Sequence, residues 1–229
     1  MSWSRNSVTR YIFGDKKNLT LQDWEVMPMT NFIDNIRSQL RESAALKEKL
    51  SEELSEKIEK IATMLIQCLK SGGTIFLCGN GGSAADAQHI AGELSCRLRI
   101  ERDGLSAIAL TTNPSVLTAL ANDYSYDEVF SRQVKTFARK GDCLIGISTS
   151  GVSESVNLAV KQAGELGVTT IGLTGRGGGT LAELADYVLI IPSDDTQRIQ
   201  EAHITIGHII CDIIEREFFS QEDISRENT

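Results

Sequence analysis

Residues 74–94 read TIFLCGNGGSAADAQHIAGEL. An apolar run from Ile75 to Cys78 meets a glycine turn, and the turn opens a segment with helical spacing, which is the strand, turn and helix that begin a parallel α/β sheet. Gly79, Gly81 and Ala84 satisfy the G-x-G-x-x-G/A spacing of a dinucleotide site. Such a site also needs an acidic residue about 20 residues on, at the end of the second strand, to hold the ribose hydroxyls. The next strand-like run, LSAIALTT at 105–112, ends in Thr111 and Thr112, while Glu101 and Asp103 fall too early, in its polar approach. No Lys-Ser/Thr pair follows the glycines, so a nucleotide P-loop fails as well. What remains is a general phosphate cradle: backbone N–H groups exposed by glycine at the positive end of a helix.

Outward from this unit the chain keeps alternating. Residues 74–78, 105–111, 142–148, 168–174 and 187–191 read as short strands with helical segments between them. That order predicts an α/β fold, a five-stranded parallel sheet flanked by helices on both faces. Ligands on such sheets sit at the carboxyl ends of the strands, which points at the loops after Cys78, Ile147, Leu173 and Ile191. Upstream, Phe32, Ile36, Leu40, Leu46, Leu50, Leu54, Ile58, Ile61, Leu65 and Leu69 recur at helical spacing and predict two N-terminal helices over 31–70, stopped by Ser71-Gly72-Gly73. Residues 1–30 hold Trp3, Tyr11, Phe13 and Trp24 among mixed charges without a period, and form a tail of unknown role. The remaining span, 71–220, is the ligand-binding domain.

The 229 residues, 41% apolar, suffice for one large core, and a net charge of -8 argues against a nucleic-acid partner, which a basic stripe would announce. An anionic ligand must then be held by local amides and helix ends rather than by the overall field. Cys68, Cys78, Cys96, Cys143 and Cys211 are widely spaced, without a CxxC pair, and read as small hydrophobes in a reducing compartment. With no signal-like segment and no run of eighteen apolar residues, the expectation is a cytoplasmic protein without a membrane partner.

The third strand runs into STSGVSESV, residues 148–156, where Ser148, Thr149, Ser150 and Ser153 surround Gly151 ahead of a helix. Hydroxyls and free N–H groups at a helix start suit a phosphate monoester, whose oxygens only accept hydrogen bonds. An ordinary helix cap is the competing explanation, but a cap needs one hydroxyl and here there are four. TGRGGG at 174–179 has no such cluster and reads as a flexible connection. Of three histidines, His89 lies four residues before Glu93, so the two share a helix face, and His208 shares a face with Gln200 eight residues earlier. His203 lies well round that helix and reads as a core residue.

Four stretches, CGNGGSAADAQHIAGEL, ALANDYSYDEVFSRQV, ISTSGVSES and RIQEAHITIGHIICDIIE, together resemble the sugar isomerase (SIS) domain proteins, and among them the phosphoheptose isomerases, over roughly residues 40–218. The resemblance implies a SIS fold, a flavodoxin-like three-layer sandwich. It also implies conversion of D-sedoheptulose 7-phosphate to D-glycero-D-manno-heptose 7-phosphate, the opening step toward activated heptose. It further implies a homotetramer with active sites at subunit interfaces and one zinc ion per subunit, held by His89, Glu93, Gln200 and His208. The substrate contacts it carries over are Asn80, Gly81, Gly82, Glu93, Asn122, Asp123, Ser148, Thr149, Ser150, Ser153 and Gln200. Isomerisation through an enediol needs a carboxylate base and a proton donor, roles that fall to Glu93 and His208.

Two positions depart from the pattern: Val152 stands where relatives often carry Asn, and Gln197 where some carry an acid. Arg97, one turn beyond Glu93, could reach a substrate oxygen or pair with Glu93. The rival class is a non-catalytic SIS-domain protein that binds the bacterial replication initiator; such proteins keep the glycine turn and hydroxyl loop but lack the base and acid that stand here as Glu93 and His208. A sugar-phosphate sensor would need a DNA-binding segment, and none is evident.

Overall fold

The computed structural model describes residues 32–219; the tail at 1–30 lies outside them. Two helices come first, α1 (Phe32–Glu53) and α2 (Ser55–Lys70). The chain divides within α1, at Arg41. Before that point Phe32, Ile33, Ile36 and Leu40 are exposed along the helix, so their spacing marks a helix but not a buried face. Beyond it Leu50, Leu54, Ile58, Ile61, Leu65 and Leu69 are buried in one stripe. Gly72, at φ +79°, ends α2, and the N–H groups of Ser71, Gly72 and Gly73 return to carbonyls of its last turn.

Five strands follow: β1 (Ile75–Gly79), β2 (Ala107–Ala109), β3 (Cys143–Ser148), β4 (Thr169–Thr174) and β5 (Tyr187–Ile190). All pair in parallel, in the order β2-β1-β3-β4-β5. The intervening helices are α3 (Gly82–Ser95), α4 (Pro114–Asp123), α5 (Ser131–Phe137), α6 (Glu154–Glu165), α7 (Gly179–Leu184) and α8 (Thr196–Phe218), with a 3-10 turn at Tyr126–Glu128. Strand side chains alternate between two cores. Leu77, Ile145 and Ile171 stand in register and pack with α2, α3 and α8, while Phe76 and Leu144 stand in register and pack with α5, α6 and α7. The result is the expected three-layer α/β sandwich. Each fully buried Leu or Ile, such as Leu65, Leu77, Leu144 and Ile171, contributes roughly 1.5–3 kcal/mol through apolar burial.

Three details sharpen the expectation. β2 is only three residues long and lies at the sheet edge, paired with β1 among the described residues. Cys96 is exposed while the other four cysteines are buried; burial pushes the Cys78 thiol up to about 12, which makes it an inert filler beneath the glycine turn. The TGRGGG segment is a built turn with positive φ from Arg176 to Gly179, and Arg176 is clasped by the Asp194 carbonyl and the Thr196 hydroxyl. No helix among the described residues is long and apolar enough to cross a membrane.

Candidate active site at the carboxyl ends of the strands

The sheet order reverses between β1 and β3, and a crevice opens outside their carboxyl ends. The loop after β1 is Asn80-Gly81-Gly82, and α3 starts in it without a side-chain cap. The loop after β3 is the hydroxyl loop, and α6 follows with Ser153 at its cap position. Both helices therefore aim uncapped N–H groups toward this end of the sheet. Between them lies a pocket of about 220 Å³ lined by Asn80, Ser83, Ile147, Ser148, Thr149, Ser150, Ser153 and Gln200.

The geometry decides between cap and cradle. The Ser153 side chain makes no capping bond; instead its Oγ accepts from Asn80 Nδ2 at 2.7 Å. Ser148 Oγ accepts from the Gly151 N–H at 3.1 Å, a local turn that folds the loop over its own strand. Gly151, at φ +69°, packs so closely on the TGRGGG turn that a Cβ would overlap the Gly178 carbonyl. The Leu181 N–H donates to the Gly151 carbonyl at 2.9 Å. The segment expected to be a loose connection is thus the support of the hydroxyl loop. Val152 is exposed beside it, and its backbone N–H donates to Ser150 Oγ.

A second cluster rises from α3 and α8. Glu93 Oε1 lies 3.0 Å from His89 Nε2 and 3.2 Å from His208 Nε2, and the two imidazole Nε2 atoms are 3.2 Å apart. Glu93 is 13% exposed at its side chain, and its buried Oε2 has no hydrogen-bond partner among the described residues. Two imidazole nitrogens and a carboxylate oxygen converging within 4.8 Å form a donor set that a divalent cation fits. Close approach of the helices makes this possible: at Gly207, beside His208, a Cβ would fall 2.6 Å from Ile90 Cδ1, beside His89. Asp86, one turn before His89, is held above the usual carboxylate range by burial, with the neighbouring His89 pulling the other way.

The end of α3 is tied down by Arg102, whose guanidinium donates to the carbonyls of Glu93, Leu94, Cys96 and Asp103 and to Glu215 Oε1. Glu215, two turns along α8 from His208, also accepts from the Leu98 and Arg99 N–H groups. Burial alone would raise the Glu215 carboxyl; these N–H groups and Arg102 outweigh it and hold it below its usual value.

Most of the residues expected in the site gather here. Asn80, Ser148, Thr149, Ser150, Ser153 and Gln200 share the pocket, and His89, Glu93 and His208 share the second cluster. Gly82 lies against Gln200 so tightly that a Cβ would overlap the Gln200 amide. Asn122 and Asp123 end α4, exposed and hydrogen-bonded to each other, outside the pocket lining. Arg97 pairs with Glu101 rather than with Glu93. Gln197 is exposed in the first turn of α8, where its N–H is capped by Asp195. His203 is fully buried and bonds the Thr174 carbonyl, as expected of a core residue. Sequence reasoning missed Arg102 and Glu215, and also Tyr126, whose hydroxyl donates to Asn80 Oδ1 at 2.7 Å. The bonds that join Glu215 to Leu98, Arg99 and Arg102, and Tyr126 to Asn80, span 46 or more residues, and no local spacing announces such pairs.

Comparison with known proteins agrees with this geometry. The family model described as SIS domain matches residues 40–175. A phosphoheptose isomerase of Clostridium acetobutylicum is 52% identical over 196 residues, 85% of this chain and 98% of that protein. The solved phosphoheptose isomerase of Neisseria gonorrhoeae superposes with a TM-score of 0.76 at 45% identity, over 81% of this chain and 99% of that one. That of Francisella tularensis superposes at 0.79 with 37% identity, over 82% and 100%. The chain belongs to the SIS-domain family and, within it, to the phosphoheptose isomerases.

Proposed function

We propose that the protein converts D-sedoheptulose 7-phosphate to D-glycero-D-manno-heptose 7-phosphate through an enediol, at the start of activated-heptose synthesis. The observation that carries this reading is the convergence of Glu93, His89 and His208 on the same two helices, α3 and α8, that line the hydroxyl pocket through Ser83 and Gln200. From Ser83 to His89 and from Gln200 to His208 the helices rise about 9 and 12 Å. A sugar phosphate held by its phosphate at the pocket can extend its reacting carbons toward Glu93.

In that pose the Glu93 carboxylate takes the proton from C1 of the ketose, and the electron pair of the broken C–H bond forms the C1=C2 bond as the C2 oxygen gains a proton from His208. The enediol collapses the other way when the C1 hydroxyl gives its proton to the now neutral His208 and Glu93 returns a proton to C2, which restores both groups. Correct placement of such groups is worth typically ~10² to 10⁴ in rate. Contacts to the remote phosphate supply binding energy and orientation. Zinc held by His89, Glu93 and His208, with Gln200 as the fourth donor, would polarise the carbonyl and steady developing negative charge.

The substrate contacts at Gly81, Gly82, Asn122 and Asp123 belong to the same proposal, as does the division into helices 31–70 and catalytic domain 71–220. So does the tetramer with shared sites, which the exposed stripe of Phe32, Ile33, Ile36 and Leu40 supports; a monomer mass in light scattering at micromolar concentration would contradict it. Binding to the replication initiator is disfavoured, because the base and acid its members lack stand here.

The deciding experiment is an isomerase assay coupled to the kinase that consumes the product. Turnover by the parent protein, with Glu93→Gln slowed ~10² to 10⁴-fold while it still binds sugar phosphate, is the expected result. A fully active Glu93→Gln would remove Glu93 as the base. Zinc analysis of protein purified without chelator checks the metal; zinc-free protein with full activity in EDTA would eliminate it.

A further inference from the structure

Tyr126 sits in the 3-10 turn after α4, 53% exposed. Its phenol donates to Asn80 Oδ1 at 2.7 Å. With that oxygen engaged, the Asn80 amide directs both hydrogens the other way, to Ser153 Oγ at 2.7 Å and to Ser155 Oγ at 2.9 Å. Each serine oxygen thereby receives a hydrogen, and each hydroxyl keeps its own hydrogen for a further acceptor.

Direction matters because Ser153 lines the pocket and Ser155 is buried behind it. The Ser153 side chain does not cap α6 and donates to no acceptor among the described residues. A phosphate monoester offers only acceptors. With the Asn80 amide turned over, its oxygen would draw in the Ser153 hydrogen, and Ser153 would show the phosphate a lone pair. One neutral donor on Oδ1 is enough to select the favourable orientation.

We propose that Tyr126 is a positioning residue for phosphate binding, its hydroxyl setting a one-way chain of hydrogen bonds from Tyr126 through Asn80 to Ser153 and the substrate phosphate. The inference rests on reading the pocket as the phosphate site. The ring plays no part in it; only the O–H does.

The test is Tyr126→Phe in the full chain, with two readouts. One is KM and kcat for sedoheptulose 7-phosphate; the other is the Kd of inorganic phosphate by calorimetry, which needs no turnover. Losing one directed hydrogen bond raises KM and the phosphate Kd roughly three- to tenfold, and the loss falls on KM rather than kcat because the contact is equally present in ground and transition states. In a Ser153→Ala background the same substitution should have no effect, since the hydrogen it orients is gone. An unchanged phosphate Kd, a loss confined to kcat, or an equal penalty in the Ser153→Ala background would each overturn the proposal. Should the parent fail to isomerise sugar phosphate, the proposed function falls while the calorimetric comparison still decides the role of Tyr126.

Discussion

Gly81 and Gly82 are neighbours whose lack of a side chain serves different ends. At Gly81 the space is open, but φ is +56°, a region that costs an L-residue roughly 1–3 kcal/mol. At Gly82 the backbone is already helical, and the Gln200 amide occupies the place of a Cβ. Gly81→Ala should therefore show itself in a lowered melting temperature. Gly82→Ala should keep most of its stability and lose turnover on the order of 10²-fold, the scale of an ångström's misplacement in an active site. Melting curves and kcat/KM measured side by side separate the two; a Gly82→Ala enzyme with parental turnover would show that Gln200 has no positional role. From the sequence both residues read alike, as parts of one glycine turn, because φ and the approach of a side chain from more than a hundred residues away are tertiary facts.

Two helices meet at Gly207, and the site depends on how closely. Alanine is the better helix former by about 0.8–1.0 kcal/mol, so propensity alone predicts that Gly207→Ala stabilises α8. Against it stands a Cβ 2.6 Å from Ile90 Cδ1 and 2.8 Å from Ile90 Cγ1, with Ile90 3% exposed, and overpacking of this kind costs about 1–3 kcal/mol. The second effect wins, and the helices part where Glu93 and His208 must stay 3.2 Å apart. Turnover should fall about tenfold or more. Ile90→Val, which removes Cδ1, should recover a large part of the loss in the double variant. Parental turnover in Gly207→Ala would mean that the helix spacing tolerates the methyl group. The periodicities of α3 and α8 were legible in sequence, as were the faces bearing His89, Glu93, Gln200 and His208. Their contact was not, since it turns on one glycine in an isoleucine-rich helix and on the buried Arg102–Glu215 pair behind it.

At the scale of the molecule, alternating strands and helices made the three-layer architecture readable, and the carboxyl-end rule located the crevice before any contact was known. The spacing over 31–70 announced the helices but not the exposure of Phe32, Ile33, Ile36 and Leu40 before Arg41, because helical period says nothing about what covers a face. The same core sets how the fold meets acid. His203 is fully buried with Nε2 on the Thr174 carbonyl and no partner for Nδ1 among the described residues; burial depresses its pKa from 6.5 to about 4, against the opposing pull of the Thr174 carbonyl. Above pH 6.5 both folded and unfolded chains carry it neutral. As pH falls from 6.5 toward 4 the unfolded chain takes up the proton and the folded one does not, so stability drops, by about 3 kcal/mol in all, and this contribution levels off below 4. Glu215 follows lower down: its folded value lies below the usual 4.5, so its stabilisation is complete above 4.5 and is lost as pH falls through the folded value. Urea midpoints at pH 7, 5.5 and 4.5 should therefore decline in the parent and flatten in His203→Gln, while both proteins weaken together below 4. A variant that keeps the parental slope between pH 7 and 4.5 would show that His203 is not the group taking up the proton.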